Sequence, residues 1–300
     1  MQSEQFQLHA QIEERHWWFI GRRKILRELI HKVAPADAVA PETNGANRTD
    51  KRSIVVDIGC GTGANLAALA DEYRCVGIDT SAEAIALARQ RFPGVTFICG
   101  FAPQDVAHWL RQASVVVISD VLEHVKDDRD LLGGIIKACP AGAQIVITVP
   151  ADMRLWSPHD EAFGHYRRYD REGLAAIWRG LPVRVRLLSH FNSRLYPIVR
   201  VVRTVNRWRG RTVGAANTDF NLPAGPINSV LETCMAGEQR RLVGAIDTNS
   251  RGYRRGVSLV AILEREAAAE SKTLPLINVP PIAKNSVDLA ASTIPQPAAL

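Results

Sequence analysis

The stretch VVDIGCGTGA, residues 55–64, decides the fold. An apolar segment runs into three closely spaced glycines, Gly59, Gly61 and Gly63, and a helix is predicted directly after them, at about 62–72. Glycines let a backbone turn tightly and let a ligand approach main-chain N–H groups at a helix N-terminus. A nucleotide-like ligand at the carboxyl end of a first strand is the expected use of such a turn.

Outward from this stretch, apolar strand patterns alternate with helical patterns. Strands are predicted at 53–58, 74–79, 95–99, 113–119, 143–149, 183–189 and 257–263, and helices at 62–72, 82–91, 104–111, 128–139, 171–179, 194–209 and 227–243. Four of the strands are continuous apolar runs, as expected when helices cover both faces of a parallel sheet. The pattern predicts an α/β protein with a doubly wound sheet.

Composition sets the domain organisation. The 300 residues are 46% hydrophobic and 23% charged, which excludes collagenous, coiled-coil and wholly disordered classes. The predicted parts are an N-terminal helical lid, a linker loop, one catalytic domain with a helical cap at about 193–245, and a proline-rich disordered tail, at 1–34, 35–52, 53–266 and 267–300. The acidic N-terminus, the absence of a long apolar run and five scattered cysteines predict a cytoplasmic protein.

The glycine loop leaves two cofactor classes open. Gly59, Gly61 and Ala64 also satisfy the dinucleotide pattern GxGxxA, so an NAD(P)-linked oxidoreductase is one alternative. Asp57 favours the other class, because its carboxylate repels a pyrophosphate and attracts a ligand that carries an ammonium and a sulfonium. Asp79 can accept both ribose hydroxyls in either class. A non-catalytic cofactor-binding protein is a third alternative.

The segments VVDIGCGTGANL, GIDTS, SDVLEHV and IVITVPA, in this order and spacing, resemble the class I S-adenosylmethionine-dependent methyltransferases. The resemblance implies a Rossmann-like seven-stranded sheet with an antiparallel last strand, an N-terminal helical lid, a helical insertion before that strand, and S-adenosyl-L-methionine as cofactor. It departs from the family where Gly100-Phe101-Ala102 replaces the usual Gly-Asp-Ala. Together, the resemblance and the chemistry of the residues assign the cofactor site to Asp57, Gly59, Cys60, Gly61, Gly63, Asp79, Thr80, Phe101, Ala102, Asp120 and Val121.

Two histidine-bearing segments follow the fourth and fifth strands. His165 and His159 are predicted as the general base for a hydroxyl acceptor, with His124 third, because imidazole titrates near neutrality. The prediction is an enzyme without a metal ion. Similarity to the ExxEH segment of ubiquinone-biosynthesis and small-RNA 2′-O-methyltransferases implies the alternative, a divalent ion on Asp120, Glu123 and His124.

The acceptor prediction rests on a pair of segments. HWWF…GRR at 16–23 and WSPHD…GHYRRY at 156–169 resemble a methyltransferase subfamily with sugar, quinone or lipid-linked acceptors. In that resemblance the N-terminal helix lies over the cofactor and completes the pocket. We therefore predict O-methylation of a small-molecule or lipid-linked acceptor, with Trp17, Arg22, Tyr166 and Arg168 on the substrate.

The net charge of +6 is concentrated in one segment. No acid lies between Glu172 and Asp219, whereas nine arginines do: 179, 184, 186, 194, 200, 203, 207, 209 and 211. The basic helix at 194–211 is an ordinary cap packed on the sheet, a contact with the inner face of a membrane, or a site for the phosphates of a nucleic acid or a pyrophosphate-bearing small molecule. Nucleic acid is disfavoured, because no RNA-binding module or aromatic platform is evident.

Overall fold

A computed structural model of the chain describes residues 3–36, 52–209, 222–248 and 252–267. The described residues form a seven-stranded sheet of order β3-β2-β1-β4-β5-β7-β6. The strands are β1 Ile54–Ile58, β2 Arg74–Asp79, β3 Thr96–Cys99, β4 Val115–Ser119, β5 Gln144–Pro150, β6 Val183–Phe191 and β7 Ser258–Arg265. The neighbouring pairs among β1 to β5 are parallel, and β7 runs antiparallel to β5 and β6. The predicted fold class is confirmed.

The helices connect the strands and cover the sheet. They are α1 Ser3–Ile12, α2 Trp17–Val33, α3 Ala64–Ala67, α4 Ala82–Arg91, α5 Ala107–Leu110, α6 Asp128–Ala138, α7 Pro158–Ala162, α8 Arg171–Ile177, α9 Tyr196–Arg209, α10 Gly225–Ala236 and α11 Gln239–Ala245. None of these described helices is long and apolar enough to cross a bilayer.

Two helical predictions need correction. The helix expected at 62–72 is only the short α3, followed by turns. The helix expected at 227–243 is divided into α10 and α11, because Glu238 at the break is buried and its Oε1 accepts the Ser193 and Arg194 amides, each at 2.8 Å. Gly237 lets the Arg194 side chain approach the break, since a Cβ at position 237 would lie 2.7 Å from Arg194 Nη1.

A hydrophobic core lies on each face of the sheet. Val56 and Ile58 of β1 point into one core, which α6 and α8 close, and Val55 points into the other, which α2, α3, α4 and α11 close. Helix α2 supplies Ile25, Leu26, Leu29 and Ile30 to the second core and also packs along α10. The N-terminal helices are therefore part of the folded body. Most of the predicted linker (37–51) and the predicted tail (268–300) lie outside the described residues.

Candidate active site

A cleft of about 840 Å³ opens at the carboxyl edge of the sheet, where the glycine loop, the ends of β2 and β4, the N-terminal helices and the loop after β5 meet. This volume lies within the range of roughly 300–1,000 Å³ typical of small-ligand sites. The position is the one expected for a ligand of an open α/β sheet.

The glycine loop is held in a shape that side chains would disturb. Gly59 has φ +69°, and a Cβ there would lie 2.5 Å from Val121 Cγ2. Gly61 has φ +53°, and nothing lies within 4 Å of its Cβ position. Asp79 fixes the loop, because its Oδ2 accepts the Gly61 amide and its Oδ1 accepts the Ser81 amide, each at 2.9 Å. The open side of Gly61 therefore faces space that a ligand can fill.

Most of the predicted cofactor residues line this cleft. They are Gly59, Cys60, Gly61, Asp79, Thr80, Phe101, Ala102, Asp120 and Val121. Phe101 is 67% exposed, so its ring offers an open face at the side of the cleft where the family usually has an acid. Its amide donates to Asp105 Oδ2 at 2.7 Å.

Asp57 and Gly63 are not on the cleft wall. Asp57 is buried beside Leu66 and Leu26, on the α2 and α3 side of β1, and neither of its oxygens has a hydrogen-bond partner among the described residues. Burial raises the pKa of Asp57 to about 7. Gly63 has φ +89°, and a Cβ there would lie 2.6 Å from Phe97 Cζ, so this glycine serves packing. The structure thus places both residues behind the loop rather than on the cleft wall.

The N-terminal helices roof the cleft. Arg22 of α2 is buried, forms an ion pair with Asp120 and lies 4.5 Å from the centre of the Trp18 ring. Below it, Thr62 of the glycine loop donates to Glu13 Oε1 at 2.6 Å. These contacts join α2 and the preceding turn to both the glycine loop and the end of β4.

Of the two adjacent tryptophans, the structure places Trp18 rather than Trp17 on the cleft. The Trp17 amide donates to Asn228 Oδ1 of α10 at 2.9 Å, and its ring packs against the second core. Trp18 is therefore the member of this pair that is placed to meet a ligand of the cleft. The HWWF segment could not distinguish them, because adjacent helical residues point in different directions and only the packing shows which faces the ligand.

On the opposite wall, Asp160 organises the loop that follows β5. It is fully buried, and its Oδ1 contacts His165 Nδ1 at 3.0 Å and accepts from Arg168 Nε at 2.7 Å. Its Oδ2 accepts the Ser157 amide at 2.9 Å and so caps α7. Burial alone would raise the pKa of Asp160, but the hydrogen bond from His165 and the charge of Arg168 hold it well below its usual range. Asp160 is therefore an ionised partner of His165 that was not selected from the sequence.

The three predicted histidines all line the cleft. The ring centroids of His124 and His165 are 4.6 Å apart, and those of His159 and His165 are 6.3 Å apart. Burial, with His165 beside it, lowers the pKa of His124 to about 4. His124 is therefore neutral and weakly basic at neutral pH.

Glu123 is a buried carboxyl group on the cleft wall, and neither oxygen has a hydrogen-bond partner among the described residues. Burial, and then the charge of Asp120, raise its pKa well above its usual range. Within the described part of the chain, Glu123, His124 and His165 can place one ligand atom each within 4.8 Å of one another. A divalent ion here would therefore be held by Glu123, His124 and His165 rather than by the predicted set with Asp120, because Asp120 is paired with Arg22.

The remaining substrate predictions divide. Arg168 lines the cleft, but its guanidinium is held by Asp160 and by the Ala151 carbonyl at 3.0 Å, so it positions the loop. Tyr166 is 60% exposed and does not line the cleft, although its amide donates to the Glu123 carbonyl at 2.8 Å.

The lining fits S-adenosylmethionine. Asp79 lies at the end of β2, where a ribose is expected, the Gly61 backbone is open to a ligand, and the carboxyl groups of Asp120 and Glu123 line the same cleft. The strand order, antiparallel last strand and glycine loop, together with Asp79, define the class I S-adenosylmethionine-dependent methyltransferases.

Comparison with known proteins gives the family. The profile of the methyltransferase domain family matches residues 20–185, more than half of the chain, and the chain belongs to that family. S-Adenosylmethionine is therefore its cofactor, and the family match decides against the oxidoreductase alternative.

Similar curated proteins include two trans-aconitate 2-methyltransferases. The one from Afipia carboxidovorans is 30% identical over 104 residues, covering 33% of this chain and 39% of that protein. The one from Paracidovorax citrulli is 32% identical over 165 residues, covering 50% and 58%. The chain thus matches only about two fifths of the length of the first of these relatives. The solved plantazolicin methyltransferase BamL, in complex with S-adenosylhomocysteine, shares the fold at 17% identity and a TM-score of 0.50, with 82% of this chain and 86% of that one covered.

Proposed function

We propose that the protein transfers the methyl group of S-adenosylmethionine to a hydroxyl oxygen of a small acceptor of the sugar, quinone or lipid-linked type. One observation carries this proposal: the Asp160–His165 pair opens onto the same cleft as the glycine loop. A hydroxyl acceptor has to lose a proton during transfer, and an imidazole oriented by a carboxylate is suited to take it.

The tautomer of His165 follows from Asp160. An ionised carboxylate only accepts hydrogen bonds, so His165 Nδ1 carries the proton that lies between them at 3.0 Å. Nε2 is then the basic nitrogen. The charge of Asp160 also stabilises the imidazolium that forms when Nε2 takes the acceptor proton.

Neither neighbouring histidine fits this role as well. The pKa of His124 is lowered to about 4, which leaves it too weak a base near neutral pH. His159 also lines the cleft, with its ring centroid 4.6 Å from that of Phe163, and its own variant separates its role from that of His165.

The bound cofactor supplies a sulfonium-activated methyl group. Asp79 and the glycine loop would hold its nucleoside end, and the roof of Arg22 and Trp18 would shield it from solvent. The acceptor hydroxyl would have to lose its proton on transfer, and His165 Nε2 is placed to take that proton. Positioning contributes much of the acceleration, because a bound acceptor held in line reacts with effective molarities of 10⁵ M or more in order of magnitude.

A second candidate is a carboxylate acceptor. The relatives are named for trans-aconitate, a polycarboxylate. Lys126 lines the cleft of this chain, as do Arg22 and Arg168, which are already paired with Asp120 and Asp160. A carboxylate is already a nucleophile at neutral pH and needs no base. The two candidates therefore differ in their dependence on His165.

The test follows label from methyl-labelled cofactor into small molecules of a cell lysate. For a hydroxyl acceptor we expect His165→Ala to lower transfer roughly 100-fold or more, with S-adenosylhomocysteine affinity unchanged. Transfer at the wild-type rate by His165→Ala would overturn the base assignment and favour the carboxylate candidate. Loss in His159→Ala alone would also overturn the assignment of His165.

Asp160→Asn tests the orienting contact. It removes the charge behind His165 and leaves Arg168 buried without a carboxylate, so we expect lower stability as well as slower transfer. Asp152→Asn is the matched control, because Asp152 is paired with Arg154 in the same loop. A loss of transfer per folded molecule in Asp160→Asn that is no larger than in Asp152→Asn would show that Asp160 does not orient His165 for catalysis.

A further inference from the structure

The surface of α9 is apolar and exposed along one side. Ile198, Val201 and Val202 are 61%, 62% and 45% exposed, and Trp208 near the end of the helix is 86% exposed. With Val205, which is half-buried, these residues follow the spacing i, i+3, i+4, i+7 and i+10, which places them on one face of a helix. The sequence left open a cap helix packed on the sheet, but the structure leaves this stripe uncovered by any described residue.

The helix is attached to the body by its other side. Leu195 and Tyr196 are buried at its start, and Arg203 donates to the Leu155 carbonyl and lies 3.9 Å from Asp160 Oδ2. This attachment joins α9 to the loop that carries His159 and His165. Whatever contacts the stripe therefore lies close to the acceptor side of the cleft.

The charge pattern indicates what contacts the stripe. Arginines 194, 200, 203, 207 and 209 lie in or next to α9, and the sequence contains no acid between residues 173 and 218. Of these side chains Arg200 is exposed, whereas Arg194 and Arg203 bind backbone carbonyl groups of the body. An exposed apolar stripe with Arg200 beside it and a tryptophan near its end, in a segment without acids, matches an interfacial helix on anionic lipid, where apolar groups enter the acyl boundary and guanidinium groups meet phosphates.

Two other occupants fit less well. A nucleic acid would satisfy the arginines but offer no apolar medium for Val201 and Ile198. A second copy of the chain would bring the same arginines together across a two-fold axis without acids to pair them.

We propose that α9 docks the protein on an anionic phospholipid surface, with Ile198, Val201, Val202 and Trp208 inserted and Arg200 on headgroup phosphates. The proposal concerns where the enzyme acts and is independent of the acceptor atom. It names the side chains through which the predicted contact with a membrane face is made.

The experiment is co-sedimentation of the full chain with phosphatidylcholine vesicles that contain or lack phosphatidylglycerol. We expect at least about tenfold stronger partitioning onto the anionic vesicles, weakened by salt. Val201→Asp should lower this partitioning about tenfold or more, and Arg200→Glu about 30-fold, since each juxtamembrane charge contributes about one fivefold factor. Val185→Asp is the matched control: Val185 is 47% exposed on β6, away from α9, and its variant should bind like the wild type.

Trp208 provides a second readout. Its emission should shift to the blue on anionic vesicles, and Trp208→Ala should lose that shift. Retained S-adenosylhomocysteine binding verifies that each variant is folded. No enrichment on anionic vesicles, equal loss in Val201→Asp and Val185→Asp, binding to duplex RNA in place of vesicles, or a stable dimer broken by Val201→Asp would each overturn the proposal.

Discussion

Replacing Asp79 by Ala tests the cofactor site without knowledge of the acceptor. Each carboxylate oxygen of Asp79 accepts one backbone amide at 2.9 Å, from Gly61 and Ser81, and keeps lone pairs for a ligand in the cleft. Two ribose hydroxyls on an ionised carboxylate contribute about 1.5 kcal/mol or more each. Losing both hydrogen bonds would cost about 3 kcal/mol of binding free energy, which corresponds to a dissociation constant roughly 150-fold larger.

The assay is calorimetric titration of the folded protein with S-adenosylhomocysteine. Asp79→Asn should fall between wild type and Asp79→Ala, because it keeps one acceptor oxygen but loses the charge. Glu83→Ala is the control, since Glu83 lies four residues further on, in the first turn of α4, and does not line the cleft. The loss of two loop hydrogen bonds should lower stability by about 2 kcal/mol and the melting temperature by about 4–8 °C.

An affinity within threefold of wild type in a folded Asp79→Ala protein would refute the placement of the ribose at the end of β2. Equal weakening in Glu83→Ala would show that the effect is a general consequence of removing an acid from this edge of the sheet.

Three further predictions concern the glycine loop and the buried acids. Gly59→Ala should abolish S-adenosylhomocysteine binding and destabilise the fold more than Gly180→Ala. Both glycines have positive φ, but only a Cβ at Gly59 meets Val121. Equal melting temperatures and equal binding in the two variants would contradict the steric argument. Burial raises the pKa of Asp57 from 3.8 to about 7, so its contribution to stability is present below about pH 4 and is lost as pH rises to about 7. In the wild type the free energy of unfolding should therefore fall by up to about 4 kcal/mol over this range, and chemical denaturation of Asp57→Asn should show a fall smaller by that amount. The same pH dependence in both proteins would contradict this account. Dialysis against EDTA should leave methyl transfer unchanged; loss of transfer that a divalent cation restores would instead show an ion on Glu123, His124 and His165.

The sheet could be predicted from local pattern because each strand carries its own signal. The runs that became β1, β4 and β5 are predominantly apolar, and all three are fully buried in the structure. The glycine loop could be predicted for the same reason, since its glycines adopt positive φ, which other residues rarely do. Helix lengths were less predictable, because the break between α10 and α11 depends on amides of Ser193 and Arg194, more than 40 residues away.

The candidate site was predictable in its residue types but less so in their partners. The HD…GH spacing contained both Asp160 and His165, and only the fold shows that Asp160 is fully buried behind the histidine. Asp57 was expected on the ligand because of its charge, but the alternation of side chains along β1 directs it to the opposite side. Glu13 gave no local signal, and the HWWF segment did not distinguish Trp18 from Trp17, since their places depend on how the N-terminal helices pack on the sheet.

Methyl transfer from labelled S-adenosylmethionine into a fractionated lysate is the most direct test of the central claim. The wild-type protein should label the small-molecule or lipid fraction, and His165→Ala should not, although it binds S-adenosylhomocysteine normally. Label that appears only in the RNA or protein fraction, or no label above a heat-inactivated control, would contradict the claim that this chain methylates a small acceptor.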